Sequence, residues 1–208
     1  MEKELKDFQK KFKKEFLAIM IVLICFCVLL IGTSFDRLSS CFYSADKYDV
    51  QLIEETTIDN GQKYYNLYID GKSRGPVDYD DYFSLNEDGE TNFKDSYIAE
   101  TVHDVSSNLC YIAIMVTVVW LLLDLSKGRT PFSKRTVIMI RVMAFIEGLL
   151  AVIPGFGEFV TRFVSFSYVD ATISMVPIHT IGLAGVFLCV AEIINYGIKL
   201  QEDSDSIV

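Results

Sequence analysis

The sequence predicts an all-α integral membrane protein, a bundle of four transmembrane helices with a small β-rich extracytoplasmic insertion between helices 1 and 2. Three observations predict it. Hydrophobic residues make up 51% of the 208 residues although 23% are charged, a mixture that suits apolar spans segregated from polar connections. The apolar residues gather into four runs, at 16–35, 105–125, 136–156 and 171–198. The acidity gathers elsewhere: residues 36–105 hold 16 Asp plus Glu against 6 Lys plus Arg, or −10 of the net −9, which leaves +1 for the rest. Such a balance argues against direct contact with nucleic acid.

The chain opens on a basic stretch, 1–15, with six lysines, followed by the uncharged run 16–35. Twenty residues at 1.5 Å rise give ~30 Å, the thickness of a hydrocarbon core. A cleaved signal peptide has a shorter apolar core, roughly 7–15 residues, and a small-residue cleavage site. Here the run is longer and Phe35-Asp36-Arg37 follows it. Leu38-Ser39-Ser40-Cys41 resembles a lipoprotein cleavage box, but Asp36 and Arg37 separate it from the apolar run. The expectation is an uncleaved signal anchor.

Residues 36–104 form the acidic outer segment. Stretches 48–58 and 63–69 are rich in Tyr, Val, Ile and Thr, and Asp59-Asn60-Gly61-Gln62 lies between them. An Asn-Gly pair supplies the φ > 0 residues of a tight hairpin. Gly71 to Pro76 predicts a further turn, and no element is assigned to 77–92. About ~70 residues make a marginal independent core.

The second span, 105–125, ends in a basic loop, 126–135, carrying Lys127, Arg129, Lys134 and Arg135. There Thr130-Pro131-Phe132-Ser133 predicts a helix start, with a capping hydroxyl before a proline at the first helical position. The third span, 136–156, is interrupted only by Arg141 and Glu147; a connection at 157–170 and the fourth span, 171–198, follow. Lys199 opens the acidic tail, 199–208. All three basic clusters fall on one side of a four-span chain, so both termini are expected in the cytoplasm.

Ionisable residues inside spans are costly and therefore informative. Arg141 lies seven residues after Lys134 and Glu192 seven before Lys199, each ~10 Å into its helix, so a salt bridge between spans three and four is expected. Glu147 lies ~20 Å deep with no basic residue at that level on these counts; Tyr111 or Thr117 are its expected partners. Both a structural lock and a polar path fit these three residues. Asp78, Asp80, Asp81, Glu87, Asp88 and Glu90 form an acidic outer cluster suited to a cationic ligand. It does not meet the calcium-loop pattern, since Tyr82 stands at an alternate ligand position and the glycine is misplaced. No metal or cofactor is implied: there is no G-x-S-x-G, H-E-x-x-H, P-loop or Cys-x-x-Cys. Of the five cysteines, Cys41 and Cys110 lie toward the outer side, where two free thiols are favoured over a disulfide. Gly182, Gly185 and Ala191 predict close helix packing in span four.

Residues 123–141, LDLSKGRTPFSKRTVIMIR, resemble the second-to-third-span junction of the YoaS-like bacterial four-helix membrane family, matching at Gly128, Pro131, Phe132, Ser133 and Arg141. The end of the chain is similar to the same family at Ala191-Glu192, Gly197, Leu200-Gln201-Glu202 and Val208. The resemblance covers roughly the C-terminal half and has no counterpart for 36–105. It implies a bacterial cell membrane and a cytoplasmic helix-turn-helix regulator as partner, because members often sit beside such a gene, and the family has no established enzyme activity to carry over. The functional expectation is a non-enzymatic sensor, regulatory or peptide-immunity protein, binding a cationic extracellular peptide outside and a partner inside. The alternative is a small transporter or transporter subunit, and a homo-oligomer is compatible with either.

Overall fold

A computed structural model describes residues 2–52, 65–77, 82–83, 91–127, 132–166 and 177–205, with side chains between 14 and 204. Helix α1 runs Glu2–Ser40, followed by strands β1 (Tyr48–Leu52), β2 (Tyr65–Ile69) and β3 (Lys72–Val77). Helices α2 (Phe93–Ser126), α3 (Lys134–Leu150), α4 (Ile153–Ser165) and α5 (Ile178–Asp205) complete the order. The described chain is mostly helical, and four stretches are long and apolar enough to cross a membrane: Lys14–Ser40, Phe93–Ser126, Lys134–Ser165 and Ile178–Ser204. The chain divides into two compact units. One holds Met1–Ile31, Asn108–Val152 and Val176–Val208; the other holds Gly32–Ser107 and Ile153–Met175.

In the first unit α3 packs against α5. The buried positions of α3, among them Val137, Ile140, Met143, Ala144 and Leu150, recur at three and four, the period of one helix face. Against them α5 sets Ala191 and Ile198, and Ala191 is fully buried. Of the small residues expected to seat helices, only Ala191 does so. Gly182 and Gly185 face open space. The start of α3 also differs from expectation. Ser133 is the cap, its Oγ accepting from the Thr136 N–H at 3.2 Å, and the helix opens at Lys134; Thr130 and Pro131 lie outside the described residues.

The third apolar run is not one helix. Helix α3 closes with the Ala151 N–H on the Glu147 carbonyl (3.2 Å) and the tighter bond from Val152 N–H to the Leu149 carbonyl (3.0 Å). Helix α4 then starts one residue ahead of Pro154. Proline has no N–H to donate and its ring crowds the preceding turn, so it is tolerated at a fresh helix start and not in mid-helix. Residues 157–165, read from sequence as part of a connection, are therefore helical.

In the second unit the three strands form an antiparallel sheet in the order β1-β2-β3. Strand β1 pairs with β2 from Tyr48↔Ile69 to Leu52↔Tyr65, the pairing expected of a hairpin; its 59–62 turn lies outside the described residues. The turn expected over 71–76 shrinks to Asp70-Gly71, both at positive φ (50° and 74°), the two-residue geometry that matches strand twist. Lys72–Val77 is strand instead. Helix α2 begins at Phe93, twelve residues before its apolar run, because Asn92 caps it. Its Oδ1 accepts from the Asp95 N–H (3.2 Å), and its Nδ2 donates to Asp95 Oδ2 (2.9 Å). Tyr48, Leu67, Ile69, Tyr82 and Tyr97 form the core of this unit.

Candidate functional site

The most organised polar constellation lies in the second unit, where the ends of α1 and α2 meet the sheet. Between β2 and β3, Tyr68 pairs with Ser73 and Leu67 with Gly75. Arg74 is thus the extra residue of a β-bulge, with Gly75 at φ 121° supplying the conformation this needs. A bulge re-aims a side chain, and here it turns Arg74 onto α1. Its Nη1 pairs with Asp36 and its Nη2 donates to Ser40 Oγ at 2.6 Å. Tyr48 donates to the Ser40 carbonyl at 2.6 Å, tying β1 to the same turn.

One helical step away, Arg37 joins α1 to α2. Its Nη1 lies 3.2 Å from Glu100 Oε1 and 2.6 Å from Asp104 Oδ2. Glu100 and Asp104 are i,i+4 neighbours, which places both carboxylates on one face of α2. Glu100 also accepts from the Tyr82 phenol at 2.5 Å. Tyr82 is 1% exposed, and burial together with that carboxylate pushes its pKa up, so it remains a donor. Burial raises Tyr48 in the same way, to about 12. A pocket of about 180 Å³ opens among Asp36, Arg37, Arg74, Tyr97 and Glu100, with Leu67 and Val77 beneath. Each guanidinium is already held by carboxylate, so the arrangement is first a staple between sheet and helices. Its mouth offers both signs of charge, which suits a small zwitterionic group better than an apolar one.

Helix α4 belongs to this unit, and its polar residues face inward. Glu158 Oε2 lies 3.0 Å from His103 Nδ1 on α2, while its Oε1 accepts from Arg162 Nε at 2.9 Å. Phe156, Val160, Phe163 and Val164 are exposed on the other side. An exposed apolar face over a sheltered charged one is the inverse of a water-soluble helix and fits lipid contact.

The residues singled out from sequence divide three ways. Arg141 and Glu192 come together as expected, Nη2 to Oε1 2.5 Å, with Asn195 at 3.5 Å from the same carboxylate. Glu147 is buried on α3. Neither Thr117, whose hydroxyl donates to the Ala113 carbonyl (2.8 Å), nor Tyr111, 44% exposed, is hydrogen-bonded to it; among the described residues no salt bridge reaches Glu147, but His179 lies close enough to interact with it electrostatically. Asp78, Asp80, Asp81, Glu87, Asp88 and Glu90 lie outside the described residues. All five cysteines are free. Sequence reasoning missed Arg37, Arg74, Glu100, Asp104 and Glu158, which had counted only as loop charge. The available signal was Asn92-x-x-Asp95, which starts a helix early enough to align Glu100 with Asp104. Comparison of the chain with protein-family models, curated proteins and solved structures finds no match.

Proposed function

We propose that this chain is a non-enzymatic bacterial membrane protein of the sensor, regulatory or peptide-immunity kind. It crosses the cell membrane four times with both ends in the cytoplasm, and its acidic outer module takes a cationic extracellular peptide. The basic loop 126–135 and the acidic tail 199–208 engage a cytoplasmic partner, and the resemblance to the YoaS-like family makes that partner a helix-turn-helix regulator. The observation that carries the reading is the combination of a −10 charge on residues 36–105 with the Arg37 and Arg74 pairs that fasten the sheet to α1 and α2. Both helices contribute residues to both units, so an outer module fastened to them is tied to elements that also form spans.

A second reading, a transporter subunit, draws on the buried Glu147 and on the interruption of the third span ahead of Pro154, since broken helices build midplane sites. One experiment separates the two. Full-length protein in nanodiscs is titrated with a fluorescent oligolysine peptide at low and high salt. The sensor reading expects the triple variant D80N/D81N/D88N to weaken binding about tenfold or more and Glu147→Gln to leave it unchanged. Equal affinity of wild type and triple variant sinks it. Loss of a solute flux in E147Q with intact peptide binding moves the assignment to transport.

A further inference from the structure

The Arg141–Glu192 pair satisfies the charge expectation, and it lies on the outside of the helix pair. The side chains are 47% and 61% exposed. Of the positions three or four residues away, Ile138 and Phe145 on α3 and Leu188, Cys189 and Tyr196 on α5 are exposed, while Val137 and Ala144 are buried. A charged boundary level of this unit, cytoplasmic on the proposed orientation, is marked by Lys134–Glu202 (3.1 Å), Arg135–Asp124 (2.9 Å) and the Arg135 guanidinium over Trp120 (5.3 Å). Arg141 stands seven residues past Lys134 and Glu192 seven residues before Lys199, so each lies about 10 Å inside that belt. Arginine has the reach to bend toward the interface, but a glutamate does not. An ion pair held there against acyl chains is costly, so something polar covers it.

We infer that a second copy of this chain covers this face, related by a twofold axis, with Arg141 of each copy against Glu192 of the partner subunit. The patch carries one charge of each sign, so it is complementary to itself under a twofold rotation and needs no other polar chain. Four charges then alternate in one network, each touching two opposites, with the apolar neighbours closing around it. Gly185, one heptad before Glu192, has open space above it and lets a neighbouring backbone come close.

The test uses full-length protein, with two differently tagged copies co-expressed and reconstituted together in nanodiscs, and pairing read by energy transfer between the tags. R141E leaves two acids on its patch and E192R two bases. Each variant alone should pair about tenfold more weakly than wild type. Mixed together, the two should pair at near wild-type strength, because each patch then faces its opposite. An intrachain lock cannot produce that recovery, since both chains in the mixture still lack their own internal pair. The double variant R141E/E192R, which restores every pair, controls for folding and should pair like wild type. Monomeric wild type, or a mixture no better than its components, overturns the inference and leaves lipid or another protein as the cover.

Discussion

Tyr48 ties strand β1 to the last turn of α1 through a single proton. It is 6% exposed, stacks in a tilted contact with Tyr97 at 5.7 Å, and spends its only proton on the Ser40 carbonyl. A phenolate there loses the donor and sets a negative charge beside a carbonyl oxygen. Burial disfavours the phenolate, with Cys41 and Tyr97 adding to the effect, and pushes its pKa up to about 12, above the ordinary value near ~10. A folded-state pKa raised above the unfolded one contributes stability that is complete below pH ~10 and lost as pH rises toward 12. The expected outcome is a loss of thermal stability in that window, smaller in Tyr48→Phe, which at neutral pH costs about 1 kcal/mol for the missing bond. Spectrophotometric titration in which Tyr48 ionises with the exposed tyrosines contradicts it. The tyrosine itself was legible in the sequence as a strand residue. Its partner was not, because Ser40 looked like part of a linker after a span and is the last turn of α1.

At the scale of elements, the division between legible and hidden follows the range of the signal. Runs of apolar residues announced the spans, and the β-rich composition of 48–58 and 63–69 announced β1 and β2. Strand β3 was hidden because Gly71, Gly75 and Pro76 speak for turns. Only the pairing with β2 makes a strand of Lys72–Val77, and its glycines serve a two-residue turn and a bulge. These glycines are not equivalent. Gly71 at φ 74° occupies a left-handed region that asparagine also accepts, whereas Gly75 at φ 121° occupies one that L side chains rarely adopt. Neither meets a neighbouring atom that a Cβ would strike, so any penalty is in the backbone. Gly71→Asn is expected within about 0.5 kcal/mol of wild type, and Gly75→Ala to destabilise by about 1–3 kcal/mol and free Arg74 from Asp36. Thermal unfolding of the two variants checks this; equal stability means that the bulge is not what positions Arg74.

For the whole molecule, the sequence carried the class and lost the detail in one place. Hydropathy sums over residues and so detects a span without seeing that Pro154 divides it. Charge is equally blunt: it locates the acidic segment but does not tell Asp36, Glu100 and Asp104, which are paired, from the acids around them. The orientation proposed for the chain has its own check. On a cysteine-free background, Ser73→Cys should react with a membrane-impermeant maleimide on intact cells, and Ser126→Cys only after the membrane is opened. The reverse pattern inverts the topology and moves the acidic module to the cytoplasm.

The Arg37 and Arg74 pairs do a task that small exported domains usually give to disulfides: they cross-link segments distant in sequence, here α1, β3 and α2. The cross-link is ionic, and the nearest thiol, Cys41, is held up in pKa by burial, where it is a poor nucleophile. The hold of this module on its helices therefore answers to ionic strength and leaves thiol oxidants and reductants without a handle on it. A ligand bearing its own cations competes for the same carboxylates, so the clasp that keeps the sheet in place is also one that a polycation can loosen.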